Sequence, residues 1–341
     1  MRERALADAA AWAPVASVEP AGGGAAAPPS LASVEPAERS LGEAALQRVR
    51  HRRILSGGAL ESYADCPVKW LVERELAPAQ LTPEPDPIAR GNYMHEVLEE
   101  VIRRLGRSVT PESLPEAYRI LDEVLADASG AIGAGRPEAI RAAQLAAIQA
   151  DLRRYLAHEA ADGIGWDPEG IELRFGFEEH EDSLPALVLG EGADRILVRG
   201  VIDRVDVAPD RSGRAIVRDY KSGSARPEHQ GARWRSDRQL QVPLYMLAVR
   251  ELLELDPVAG LYQPLGGGDL RARGVYLEGE QVGERVVCTD ARSREQLDAE
   301  LDDAAARALA LAARLRAGEL TPCAERCSRH GCMYPGICRS Q

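Results

Sequence analysis

The stretch "VRDYKSGSARP", residues 217–227, sets an Asp, a Tyr, a Lys and a Ser in consecutive positions at the end of an apolar run. The run "AIVRDYKSG" reads as a strand, and side chains along a strand alternate faces. Val217, Asp219 and Lys221 therefore share one face, and Ile216, Arg218 and Tyr220 the other. A carboxylate and an ammonium on one face, about 7 Å apart along the strand, ask what stands beside them.

The preceding strand, "VRGVIDRVDV", carries Asp203 between Val201 and Val205 on one face, and "APDRSGR" is a hairpin loop to the next strand. Paired so, the strands bring Asp203 and Asp219 together. Two carboxylates beside an ammonium bind a hard divalent cation, which activates water and stabilises charge on a phosphoryl oxygen. Two surface salt bridges are the plainer alternative, but a carboxylate among valines needs a partner. His95 lies on the helix "GNYMHEVLEEVIRRL", where Met94, Leu98, Val101 and Leu105 recur at helical spacing and Gly91 permits close backbone approach. The text "HEVLEE" is not the HExxH of zinc proteases. Downstream, "QVPLYMLA" puts Gln241, Tyr245 and Ala248 on one helical stripe. In between, Arg226, Arg233, Trp234, Arg235 and Arg238 read either as a phosphate-tracking, base-stacking segment or as a solvated loop.

Outward from this centre the chain is α+β. Helical patterns fill residues 92–160, β-like segments occupy about 171–280, and a last helix spans roughly 293–317. Residues 1–50, rich in Ala, Pro and Gly with "ASVEPA" at 16–21 and again at 32–37, read as a low-complexity, disordered leader. The domain proper is then 51–341. The net charge of the whole chain, −12, speaks against coating by nucleic acid but leaves room for a local basic groove. No apolar run reaches membrane-spanning length, no signal peptide opens the chain, and a cytoplasmic location is the expectation. A GxxxxGK[ST] phosphate loop is absent, so this chain alone is not expected to be a nucleotide-driven motor.

Disulfides are unexpected in that compartment, which leaves the 6 Cys to explain. Cys323, Cys327, Cys332 and Cys338 crowd the end of the chain, and Cys66 lies far upstream beside Pro67. Four local thiolates make a closed zinc site. Three of them with Cys66 hold a [4Fe–4S] cluster. Cys288, in "ERVVCTD", reads as core.

Together, "SYADCP", "GNYMHEVLE", "GVIDRVD", "DYKSG", "QVPLY" and the Cys tail, in this order, resemble the RecB-like branch of the PD-(D/E)xK nuclease superfamily. Within it, they resemble the iron–sulfur nuclease domain of AddB-type helicase–nuclease subunits. The resemblance covers residues from about 55 to 341. It implies a restriction-endonuclease-like core: a small mixed, largely antiparallel sheet flanked by helices, with an inserted helical region and a C-terminal Cys-rich segment. It implies that Asp203, Asp219, His95 and the Tyr220 carbonyl bind Mg²⁺ or Mn²⁺. Lys221 would orient or activate the attacking water, and Gln241 and Tyr245, matching the Q-x3-Y motif, would position the substrate strand. The reaction would be DNA phosphodiester hydrolysis, of the exonuclease type, in recombination or break repair. Cys66, Cys332 and Cys338 match three cluster ligands. The usual fourth falls at position 329, here Arg329, which leaves Cys327 or Cys323. DNA is the implied partner, with a separately encoded helicase subunit as a second. The competing readings are a non-catalytic iron–sulfur DNA-binding or scaffold subunit and a zinc-binding interaction module.

Overall fold

The computed structural model describes residues 42–50, 54–77, 86–127, 137–162, 165–224, 226–283, 286–323 and 334. Everything below concerns residues 38–341, which form one compact unit. The chain opens with α1 (Glu43–Arg50), β1 (Ile54–Ser56) and α2 (Gly57–Asp65). A short α3 (Pro67–Trp70) continues into a wide π-turn at Leu71–Leu76. Three longer helices follow, α4 (Asp86–Leu105), α5 (Leu114–Asp127) and α6 (Glu138–Asp162). Then come β2 (Asp167–Phe175), β3 (Leu187–Leu189), β4 (Ile196–Val207), β5 (Arg214–Lys221), α7 (Gln241–Leu253), β6 (Asp256–Pro264), β7 (Arg273–Leu277), β8 (Ala291–Arg292) and α8 (Arg294–Arg316).

The strands form one mixed sheet in the order β1-β4-β5-β6-β7-β8, with β2 and β3 also pairing to β4. β4 and β5 are the antiparallel hairpin expected from the sequence, whereas β5 and β6 run parallel. The sheet is thus more mixed than its local patterns suggest. A parallel pair needs a crossover, and α7 supplies it. Parallel pairing also joins β1 to β4 and β7 to β8. Such pairings leave no turn signature in the sequence.

The sheet lies between two helical layers. On one face α7 and α8 pack Val242, Met246, Leu297 and Leu301 against Val205 and Val217. On the other, α4, α5 and α6 bury Met94, Leu98, Leu121 and Leu152 around Tyr220. Strand alternation in β5 decides this division, since Val217 and Tyr220 fall in different cores. Close approach of α7 to β6 depends on Gly260, where a Cβ would come 2.3 Å from the Met246 sulfur. α8 begins at a capping box, Ser293 with Gln296.

The leader boundary moves. Residues 43–50, assigned to disorder by composition, form α1 with Leu46 buried. No described helix is long and apolar enough to cross a membrane.

Candidate active site

β4 and β5 hydrogen-bond as a ladder up to Arg204 opposite Arg218. Beyond that point a side chain takes over: Asp203 Oδ2 accepts from the Tyr220 N–H at 2.5 Å. His95, on α4, brings Nδ1 to 3.7 Å from the same oxygen. The His95 ring meets Tyr220 edge-on at 5.8 Å. Gly91 allows this docking, because a Cβ there would sit 3.1 Å from Ser222 Oγ in the loop after β5.

Asp219 is 1 % exposed and ion-paired to the Lys221 ammonium. Lys221 Nζ also lies 5.3 Å from the centre of the Tyr262 ring. Burial works against the ammonium, but Asp219, Asp203 and Glu61 outweigh it, and Lys221 stays protonated above the usual lysine range. For Asp203, burial first and Asp219 second push the carboxyl well above its ordinary value, against the pull of the Tyr220 N–H. Burial also holds His95 below the usual imidazole value, favouring the neutral, ligating form.

The sequence groups His95, Asp203 and Asp219 as ligands. Among the described residues, the group whose ligand atoms all lie within 4.8 Å of one another is His95, Glu172 and Asp203. Asp219 is turned to Lys221 instead, as expected when two carboxylates face each other and an ammonium can claim one. Glu172 escaped sequence reading because "IELRF" looks like an ordinary strand. Its backbone is left-handed, with φ of 48°, in β2 opposite Asp203's stretch of β4. Burial, then Glu99, raise its carboxyl to about 7. One imidazole with hard carboxylate oxygens makes a donor set for a divalent cation.

On the opposite wall, Gln241 opens α7, and its side-chain amide donates to Tyr245 Oη at 3.1 Å. Tyr245 packs edge-on to Phe175 at 5.9 Å. Gly200 leaves room for both rings: a Cβ there would be 2.5 Å from Tyr245 and 2.9 Å from Phe175. Burial pushes the Tyr245 hydroxyl above the usual phenol value, so it remains a neutral donor.

Behind the site, on the other face of the sheet, sits a charged cluster that sequence reading missed. Asp206, fully buried, accepts from Arg204 Nε at 2.5 Å and from Arg218 Nε at 2.7 Å. Arg204 also pairs with Glu159 at 2.8 Å and donates to Tyr220 Oη at 3.4 Å. The signal was present: "DRVD" carries charge on both faces of one strand, which requires a second polar partner set.

The basic segment 226–238 does not present its aromatic residue to a base. Trp234 is 1 % exposed, its indole N–H donates to the His229 carbonyl at 3.1 Å, and it packs against Tyr262, so it cannot stack on a base. Arg233 pairs with Asp237 at 2.6 Å, and Arg238 donates to the Ala64 carbonyl. Arg226 and Arg235 are exposed, and their carboxylate partners among the described residues stand off at 3.7 and 3.6 Å.

Cys66 ends α2, with its N–H donating to the Ser62 carbonyl at 3.1 Å. Cys66 and Cys323 are free, half-buried thiols. Ala64, Pro67 and Cys323 line one cleft of about 390 Å³, so the two ends of the domain meet beside Cys66. Tyr334 adds a contact, its hydroxyl donating to Glu73 at 3.2 Å. Cys327, Cys332 and Cys338 lie outside the described residues.

The family model of the PD-(D/E)XK nuclease superfamily matches residues 54–339. The B component of an ATP-dependent helicase/deoxyribonuclease from Symbiobacterium thermophilum is 30% identical over 219 residues, 59% of this chain and 18% of that protein. The protein of the same name in Leuconostoc citreum is 24% identical over 231 residues, 61% of this chain and again 18% of its own length. The chain thus spans less than a fifth of the relatives it matches. With its acidic site seated on a β4–β5 hairpin inside a region the family model covers almost end to end, the chain belongs to the PD-(D/E)XK nuclease superfamily.

Proposed function

We propose that the chain is a divalent-metal-dependent deoxyribonuclease, an exonuclease of the RecB/AddB type, acting on DNA in recombination or break repair. The observation that carries this reading is the buried Asp203 carboxylate, held by the Tyr220 N–H and faced by His95, with Asp219 and Lys221 on the adjoining strand. A desolvated carboxylate of that kind is stabilised by a cation. His95, Asp203, Asp219 and the Tyr220 carbonyl are the proposed holders of Mg²⁺ or Mn²⁺, with Glu172 a further carboxylate beside His95 and Asp203; Asp219 joins them by turning from Lys221. When bound, the cation supplies activation of water and charge stabilisation at a phosphoryl oxygen.

The chain's own residues do the rest. Lys221 stays cationic beside Asp219, orients the attacking water and stabilises charge that develops on the phosphate. Gln241 and Tyr245 hold the substrate strand across the cleft. Arg226 and Arg235, the least tightly paired basic residues of their loop, contact the phosphate backbone. Cys66 with Cys332, Cys338 and either Cys323 or Cys327 holds a [4Fe–4S] cluster that joins the domain ends. The relatives' name supports a separately encoded helicase as partner.

The test is digestion of end-labelled linear and circular DNA, single- and double-stranded, with Mg²⁺, Mn²⁺ or EDTA, beside Asp219→Ala and Lys221→Ala. Cleavage that disappears with EDTA and in both variants is expected, and circular DNA should resist. Metal-independent cleavage, or full activity in either variant, would reject the assignment. Complete inactivity of folded protein, with or without a helicase partner, would turn the reading to a DNA-binding scaffold.

A further inference from the structure

Glu61 has no part in the scheme above, yet it stands half-buried at the edge of the site. α7 starts without a side-chain cap of its own, because its N-cap residue is Leu240. The first amides of a helix have no intrahelical acceptor and need one. Here the acceptor comes from another helix, far away in sequence. Glu61, on α2, accepts from the Leu240 N–H at 2.6 Å and the Gln241 N–H at 2.7 Å through one oxygen, Oε1.

Two further contacts press the same helices together. A Cβ at Gly57, the first residue of α2, would come 3.0 Å from Gln241 Cα, so the backbones are already in contact. Arg238, just before α7, donates to the Ala64 carbonyl at the end of α2. Beyond its first residue, α7 is held by a run of buried residues from Val242 to Val249. Glu61 therefore acts on the very start of the helix, which carries Gln241, whose side chain in turn bonds Tyr245. A negative group at a helix N-terminus is favourable in its own right.

We propose that Glu61 is a positioning residue for the site: by capping α7 from α2 it sets where Gln241 and Tyr245 meet the substrate strand. This rests on the nuclease reading above. It also gives α2 a second duty, because the helix that grips α7 ends at Cys66. Whatever holds Cys66 thus bears on the first turn of α7.

The experiment compares wild type, Glu61→Ala, Glu61→Gln, Gln241→Ala and the Glu61→Ala/Gln241→Ala double variant in the full chain. The readouts are kcat and KM on single-stranded DNA, and amide hydrogen exchange across the protein. Displacing a substrate-positioning group by about 1 Å costs about 10²-fold in rate. Glu61→Ala should lose that much in kcat with KM little changed, and exchange should quicken at residues 240–245 alone. Glu61→Gln keeps an acceptor oxygen and should recover most of both. The double variant should be no slower than the worse single, as for residues acting as one unit.

Wild-type kcat in Glu61→Ala would overturn the proposal. So would Glu61→Gln as impaired as Glu61→Ala, or losses that multiply in the double variant. Should Glu61→Ala not fold, Glu61→Gln with wild-type exchange and rate supports the capping role, and a slowed, locally loosened Glu61→Gln refutes it. An inactive wild type would defeat the nuclease reading instead, and the exchange data would still decide whether Glu61 caps α7.

Discussion

Replacing Asp206 by Asn should be among the most damaging single changes to stability, although Asp206 touches neither substrate nor metal. Its carboxylate lies between the guanidinium groups of Arg204 and Arg218, at 2.5 and 2.7 Å, and is fully buried. The two cations are themselves nearly inaccessible. Glu159 pairs with Arg204, at 2.8 Å, so Arg204 keeps a carboxylate in the variant while Arg218 loses its own. Asn keeps the size and one acceptor oxygen but not the charge. Breaking a buried pair by removing one partner costs about 3–5 kcal/mol, and the neutral acceptor that remains places this case at the lower end, about 3 kcal/mol. With urea slopes of about 1–3 kcal/mol per molar, the midpoint should fall by more than about 1 M. Adding Arg218→Met removes the stranded cation, so the double variant should be more stable than additivity predicts, by roughly 0.5–3 kcal/mol. A loss under about 1 kcal/mol, typical of solvent-screened pairs, or strict additivity would refute the claim that this cluster is a desolvated unit.

Gly200→Ala should lower kcat while leaving divalent-metal binding intact, because the new methyl displaces the Tyr245 and Phe175 rings without reaching His95 or Asp203; weakened Mn²⁺ binding by calorimetry would contradict this. Glu172 is held up to about 7 by burial and then by Glu99, so the folded state binds its proton more tightly than the unfolded state does. Its contribution is therefore fully present below the ordinary glutamate range and is lost as pH rises through about 7. In EDTA, the urea midpoint should drop between about pH 5 and about pH 8 by more in wild type than in Glu172→Gln, and parallel curves would remove Glu172 from the account. Protein purified without oxygen should be brown, and Cys66→Ala colourless and less stable; a colourless wild type carrying zinc would favour the zinc alternative instead.

Some of this site was legible in the sequence and some was not, for physical reasons. Alternation along "AIVRDYKSG" correctly separated Asp219 and Lys221 from Arg218 and Tyr220, because a strand's period is fixed by its backbone. The helical stripe around His95 and the hairpin joining Asp203 to Asp219 followed from local periodicity and turn chemistry. Glu172 did not, since its orientation depends on a left-handed residue within β2 that no Gly or Asn announces. Glu61 stayed hidden because its partners, residues 240 and 241, come from another element, and Asp206 was only half announced, by Arg204 on its own strand, since Arg218 comes from across the hairpin. Trp234 misled in the opposite direction. An aromatic among arginines looks like a stacking platform, but two of its neighbours, Arg233 and Arg238, settle on protein groups and the indole fills the core under Tyr262.

The long-range bonds made by α2 also set a timetable for synthesis. Tyr63 donates its hydroxyl to the Glu319 carbonyl at 2.7 Å, across 256 residues of chain. At about 5–20 residues per second, that partner emerges roughly 10–50 s after Tyr63. Throughout that interval α2 lacks the far end of the domain it packs against. Contacts so distant in sequence are also slow to close once both partners exist. A domain built this way cannot complete the packing of α2 until the residues around Glu319 have emerged.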